Sequence, residues 1–216
     1  MPVGVSPKEQ ILDAAAALFE KRGFSATTTR QIAEAAGLQQ GSMFHYFPRK
    51  IDILGALLDT TLLPALEYVA WLDGVDIPAS QKLYLLCYRD TATMCAGQHN
   101  LYALLNLPEA KSADFDAFWA EEKKLRATYA RYIAEGMADG SFGGMAPAVP
   151  TEMVFAMVES SMRWFRRGQD DVAEAATAVA SAVLRLLLSD PNDLDDTVAR
   201  ALEHVALAPH PDAADD

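Results

Sequence analysis

The chain has 216 residues, 51% hydrophobic and 22% charged, enough apolar side chain for an ordinary core and too much for a disordered or collagen-like polymer. Its 18 Lys plus Arg face 30 Asp plus Glu, a formal net charge of −12, which excludes a protein that coats nucleic acid through bulk positive charge, so any DNA contact is local. No uninterrupted apolar run approaches the roughly 18 residues of a membrane span, and MPVGVSPKEQ lacks the basic and apolar regions of a signal peptide, so a cytoplasmic protein with no membrane partner is expected.

Residues 1–55 hold six basic and five acidic residues, leaving −13 for residues 56–216. The acidity therefore belongs to the longer C-terminal part. The first helix starts at Ser6-Pro7-Lys8-Glu9, where Ser caps, Pro takes the first helical position without losing a needed N–H, and Glu reaches back. Ile11, Ala15, Leu18 and Phe19 form its inner stripe, and Gly23 ends it. A second capping box, Thr28-Thr29-Arg30-Gln31, opens a helix of about two turns that stops at Gly37, where a tight turn favours positive φ. Too short to stand alone, this helix packs Ile32, Ala33 and Ala36 against a third element carrying Leu38, Met43, Tyr46 and Phe47, which Pro48 stops. Two short helices joined by Gly37-Leu38-Gln39 have the size of a helix-turn-helix, whose second helix enters the major groove. An ordinary helical hairpin would leave Gln40, Ser42, Phe44 and His45 as plain surface, and an exposed Phe beside His counts against that.

The stretch TTTRQIAEAAGLQQGSMFHYFPRKIDIL resembles the DNA-binding region of the TetR family of transcriptional regulators, the close match covering roughly residues 8–58. The resemblance implies a three-helix DNA-binding domain, a larger helical ligand-binding domain and a homodimer. By it, Thr29 holds a phosphate, Arg30 reads a base, Gln40, Ser42, Phe44 and His45 touch bases or phosphates, and Lys50 grips a phosphate. Two departures stand out. Many members have a small hydroxyl residue at the place of Gln39 and a lysine at that of Gln40, so the recognition helix is expected to be less well capped and to prefer a different base. Side-chain chemistry agrees with these roles: Arg30 offers two donors to guanine, Gln40 gives and accepts toward adenine, and Lys50 adds charge at a helix start. Tyr46 is expected to be half-buried, with its hydroxyl toward backbone or phosphate. Thr29, Arg30, Gln39, Gln40, Ser42, Phe44, His45, Tyr46 and Lys50 make up the candidate DNA-binding set.

Beyond residue 50 the chain continues as a helix to about 72 with Leu54, Leu57, Leu58, Leu62, Leu66 and Val69 inward and a kink at Pro64. Further helices are expected at about 78–96, 98–107, 113–138, 151–168, 172–189 and 194–206. No Gly-rich phosphate loop, HExxH, di-iron Glu-x-x-His or GxSxG signature occurs, so no catalytic residue is assigned. Cys87 and Cys95 lack CxxC spacing and nearby histidines, so neither a disulfide framework nor a metal site is expected, and no cofactor. Aromatic and sulfur side chains are dense here, which reads first as core. By the resemblance some line an inducer cavity, with Tyr68, Tyr88, Arg89, His99, Tyr102, Phe118, Trp119, Phe155 and Met162 the candidates, and Asp90, Asn100 and Asn106 further polar groups. Two helices carry one-sided stripes: Val154, Met157, Val158, Ser161, Met162 and Phe165, then Ala176, Val179, Ala180, Val183, Leu186 and Leu187. The resemblance pairs these helices with their counterparts in a four-helix dimer interface, while an intramolecular hairpin would show the same pattern.

The sequence thus reads as all-α: a helix-turn-helix DNA-binding domain over 1–50, a helical ligand-binding and dimerisation domain over 51–206, and a flexible tail over 207–216. The expected function is a ligand-responsive repressor that leaves a palindromic double-stranded DNA operator on binding a small, mainly apolar effector. The rival is a helical protein-interaction or ligand-binding module without sequence-specific DNA binding.

Overall fold

The computed structural model describes residues 6–97, 101–144, 146 and 148–205, without the side chains of 61, 101 and 102. The expected tail, His99 and Asn100, and the side chain of Tyr102 lie outside the described residues. Among the described residues ten α-helices follow in order: α1 Pro7–Arg22, α2 Thr29–Ala35, α3 Gln40–Tyr46, α4 Lys50–Asp73, α5 Ala79–Ala96, α6 Leu101–Leu105, α7 Asp116–Ala138, α8 Ala148–Trp164, α9 Val172–Leu187 and α10 Leu194–Val205. No strand occurs among the described residues, where an isolated antiparallel bridge joins Phe142 to Leu188. The fold is all-α, as the helical periodicity of the sequence requires.

Two compact units divide these elements, one of residues 1–60 with 97–120 and one of 61–96 with 121–216. The expected division at residue 50 moves into α4 and takes α6 with the first unit, because α6 packs on α1 and the segment after it is tied to the N-terminal helices by side chains described below. The helix expected from about 113 begins at Asp116, after residues 108–115. They wind as two 3₁₀ turns, Pro108–Lys111 and Ala113–Phe115, since Pro108 has no N–H to continue α6.

The first unit is built on local signals. Ser6 and Glu9 close a reciprocal cap on α1, with Ser6 N–H to Glu9 Oε2 at 2.7 Å and Glu9 N–H to Ser6 Oγ at 3.2 Å. Thr28 and Gln31 do the same for α2 at 2.9 and 3.2 Å. Gly37 takes φ +70° in the turn to α3, a conformation that a Cβ would strain. Ile11, Ala15, Phe19, Ile32, Ala33, Met43 and Phe47 form the core between α1, α2 and α3.

In the second unit α5 is the central helix, packed on α8, α9 and α10, and Leu83, Tyr84, Leu85, Leu86 and Cys87 are fully buried along it. The burial extends to polar side chains of the same helix, Ser80, Gln81, Asp90 and Thr91. By length and composition α4 would pass for a membrane span, but Ile53, Leu54, Leu57, Leu58, Leu62, Tyr68 and Leu72 are buried along it, so packing accounts for its apolarity. It runs as one helix through Pro64. The turn after α7 is closed by Phe142, whose ring lies so near Gly136 that a Cβ there would come within 2.3 Å of it. Backbone bonds Gly143 N–H to Leu187 O at 2.8 Å and Ser189 N–H to Ser141 O at 2.9 Å fix that turn to the end of α9.

The stripes of α8 and α9 are buried within the single chain: Val154, Val158, Ser161, Met162 and Phe165 on one helix, Ala176, Val179, Ala180, Val183 and Leu187 on the other. These buried positions form intramolecular core, while Met157 and Leu186 of the same stripes are half-buried. The opposite side of α8 leaves Val149, Met153 and Trp164 exposed at 54, 43 and 46%. Ala156 shares that side, and Ala178 and Arg185 are exposed on α9.

Candidate nucleic-acid interface and effector core

The helix-turn-helix is positioned from beneath and presents its polar side outward. Met43 is α3's anchor, fully buried; Gln40, Gly41, Ser42, Phe44, His45 and Tyr46 are all exposed. The α3 N-cap residue Gln39 makes no side-chain cap, in line with the loss of a small hydroxyl there. One bond ties the two reading helices: Gln40 Nε2 donates to Thr29 Oγ1 at 3.3 Å. Arg30 projects with its side chain 77% exposed and pairs with Glu34 at 3.3 Å. Tyr46 differs from expectation. It is 43% exposed, packed edge-on against His45 with ring centroids 5.7 Å apart, because Phe47 rather than Tyr46 fills the core position. Phe44 is exposed at 40%, an apolar ring on a polar face where a thymine methyl or sugar is a suitable partner.

Lys50 is half-buried and already engaged. Its Nζ donates to the carbonyls of Phe24 at 2.6 Å and Thr27 at 2.7 Å and sits 4.2 Å from the Phe24 ring centroid. Burial lowers its pKa and the Glu109 charge opposes that. One of its three N–H donors is left for a phosphate. Its structural work is to hold the loop before α2, where Thr27 Oγ1 also donates to the Gly23 carbonyl at 2.8 Å, so that α2 starts at a fixed place. The neighbouring Arg49 carries the exposed charge. Its guanidinium reaches Asp52 at 2.6 Å and Asp114 at 3.1 Å, with its side chain 63% exposed, and both carboxylates raise its pKa. Ser25 Oγ donates to Glu109 Oε1 at 2.5 Å, and this bond holds the Glu109 carboxyl below its ordinary pKa. Arg49, Glu109 and Asp114 escape a reading by motif: Arg49 lies beside the more conspicuous Lys50, and the two acids lie 60 or more residues from their partners.

Phe118 and Trp119 belong to this first unit. The Trp119 indole N–H donates to the Ala110 carbonyl at 2.7 Å and Lys111 Nζ lies 3.5 Å from its ring centroid, which makes it a satisfied packing residue. Phe118 lines a shallow cleft with Arg49, Asp52, Asp59 and Asp114. The other candidate effector contacts belong to the second unit: Tyr68 on α4, Tyr88 and Arg89 on α5, Phe155 and Met162 on α8. Tyr68, Phe155 and Met162 are buried, Tyr88 and Arg89 half-buried. Among them sits a group of unusual polarity. Tyr129 of α7, fully buried, donates its hydroxyl proton to Asp90 Oδ2 at 2.5 Å. Burial pushes the Asp90 carboxyl up to about 7 against the opposing effects of that hydrogen bond and of Arg89. Tyr129 also packs edge-on against Phe155 at 5.4 Å, and Arg126 lies over the Phe155 ring at 3.9 Å.

Residues 11–57 match the family described as bacterial regulatory proteins, tetR family, and residues 76–187 match the tetracyclin repressor-like C-terminal domain. The chain belongs to the TetR family. Curated relatives include the transcriptional repressor KstR2 of Mycolicibacterium smegmatis, 28% identical over 176 residues that cover 76% of this chain and 81% of that protein. The crystal structure of Mycobacterium smegmatis AmtR superposes with a TM-score of 0.78 at 34% identity, over 93% of this chain and 96% of that one. The ketosteroid regulator KstR2 of Mycobacterium tuberculosis, with a TM-score of 0.73 at 21% identity over 86% and 96%, shares the fold. As a TetR-family member the protein is a ligand-responsive, DNA-binding transcriptional repressor, in a family of regulators rather than enzymes. A module without sequence-specific DNA binding is not favoured.

Proposed function

We propose that this TetR-family repressor acts as a cytoplasmic homodimer on a palindromic operator and is released by a small, mainly apolar effector. The carrying observation is the set of exposed side chains on α2 and α3, Arg30, Gln40, Ser42, Phe44, His45 and Tyr46, mounted on buried Ile32, Ala33, Met43 and Phe47. Arg30 and Gln40 read bases, Thr29 and Ser42 reach phosphate oxygens, and Lys50 contributes its remaining donor beside the more exposed Arg49. Gln39 lies at the helix start, within reach of the backbone. Exposed Val149, Met153 and Trp164 on α8 favour a two-fold contact with a second copy, since a monomer has no use for such a stripe. Tyr68, Tyr88, Arg89, Phe155 and Met162 suit an effector with a large apolar body. Helix α4 belongs to both units, which makes it the natural transmitter. A coupling of about 1 to 3 kcal/mol changes operator affinity about 5-fold to 150-fold.

Selection of bound duplexes from a random library supplies the test. An inverted repeat should emerge, and Gln40→Ala and Arg30→Ala should each cost about 1 to 3 kcal/mol on it and relax one position per half-site. Equal loss on selected and random duplexes would remove both residues from base reading.

A further inference from the structure

Asp90 is only 4% exposed, and Tyr129 satisfies only one of its oxygens. Asp90 Oδ1 and Arg89 Nε are both buried without a hydrogen-bond partner. Arg89 and Asp90 are consecutive on α5, and the Arg89 guanidinium lies 5.5 Å from the Tyr68 ring centroid. Tyr129 and Phe155, packed edge-on at 5.4 Å, add apolar surface beside it. Native cores rarely leave a buried acceptor and a buried donor unpaired, and among the described residues neither atom has a hydrogen-bond partner.

We propose that Asp90 and Arg89 form the polar end of the effector site and select a neutral group that both donates and accepts a hydrogen bond, an alcohol or a primary carboxamide on an apolar skeleton. The proposal rests on the effector reading above. The choice of group follows from charge and valence. Above pH 7, where Asp90 is ionised, its charge balances that of Arg89, so a neutral ligand adds no net charge to a buried place. Asp90 Oδ1 calls for a donor and Arg89 Nε for an acceptor, and a hydroxyl or a carboxamide supplies both. An ammonium group would satisfy the carboxylate but leave Arg89 Nε unpaired and place a second cation beside it. A carboxylate would accept from Arg89 but face the Asp90 charge.

The test uses the full chain at pH 8.5, where Asp90 is ionised, and four probes on one skeleton: 1-adamantanol, adamantane-1-carboxamide, 1-adamantanamine and 1-adamantanecarboxylate, titrated by calorimetry. The alcohol and the carboxamide should bind at least tenfold more tightly than the amine and the carboxylate. Asp90→Asn keeps the side-chain size and an acceptor for Tyr129 but turns an N–H toward the ligand and removes the negative charge, so the carboxylate should gain at least tenfold while the amine, left beside Arg89 without an anion, stays the weakest. Asp90→Leu should bring all four probes within about threefold of one another. A carboxylate that fails to gain in Asp90→Asn would overturn the proposal. So would an amine or carboxylate that binds wild type most tightly, or a wild type that binds no probe at 1 mM and holds only an ordered water at Asp90. Probes that bind in the expected order without weakening operator binding would overturn the effector reading and leave the subsite standing; operator release without that order would do the reverse.

Discussion

Replacing Asp114 with Asn asks whether Arg49 is a DNA contact held in check by the protein's own acid. The pair spans 3.1 Å with both side chains substantially exposed, so it contributes about 0.2 to 1 kcal/mol to stability and its loss leaves the fold intact. A phosphate competing for Arg49 must displace Asp114, and this opposes binding by up to the same amount in each subunit. For a dimer that is at most about 2 kcal/mol, or roughly 30-fold in affinity. Asp52, at 2.6 Å, remains on the guanidinium and keeps it oriented. The Asp114→Asn protein should therefore bind more tightly by a few-fold to 30-fold, equally on operator and on random duplex, because phosphate contacts carry no sequence information. Its salt slope should steepen by about 0.9 for each phosphate gained, near 2 for the dimer. Fluorescence anisotropy from 50 to 300 mM salt measures both. A gain confined to the operator, an unchanged slope, or a gain that survives Arg49→Ala in the same chain would refute the reasoning.

Three further outcomes are expected. Lys50→Met removes two carbonyl contacts of a charged donor and should destabilise the head by about 2 to 3 kcal/mol in thermal melts while weakening every duplex alike; unchanged melts would confine Lys50 to phosphate. Met153→Asp, on the exposed side of α8, should give a folded monomer in sedimentation, whereas Val183→Asp, fully buried in the chain, should unfold it; a folded Met153→Asp dimer would move the two-fold contact elsewhere. Asp90 titrates at about 7 instead of 3.8, so the fold favours its protonated form, and that stability is full below about pH 4 and lost as pH rises through 7. Arg89 of α5 faces it with charge, while Tyr68, Cys87 and Tyr129 stay neutral across that window. The unfolding free energy of wild type from urea melts should thus fall relative to that of Asp90→Asn between pH 4 and 8, by up to about 4 kcal/mol, and a constant gap would exclude the titration.

What could be read from the sequence was what is local. Ser6 with Glu9, Thr28 with Gln31, and Gly37 specify caps and a turn within four residues, and the helix starts follow from them. The pairs that organise the sites join distant residues: Ser25 with Glu109, Arg49 with Asp114, Asp90 with Tyr129. No periodicity reports such a pair. The stripes of α8 and α9 show a different limit. Val179 and Val183 announce a buried face, but the same apolar residues serve whether the covering surface is another helix of the chain or a second copy. Tyr46 and Phe47 show a related limit: two adjacent aromatics compete for one inward position, and Phe47, lacking a hydroxyl to hydrate, takes it.

The missing cap on α3 has a thermodynamic consequence. A seven-residue helix with a glycine inside it, no side-chain cap and one buried residue is marginal in water by itself. Part of its ordering is then deferred to the moment when bases and phosphates surround it. Operator association should accordingly carry an excess of favourable enthalpy, a matching loss of entropy and a heat-capacity change larger than the contact area alone would give. Random duplex, which leaves the helix less confined, should show less of each.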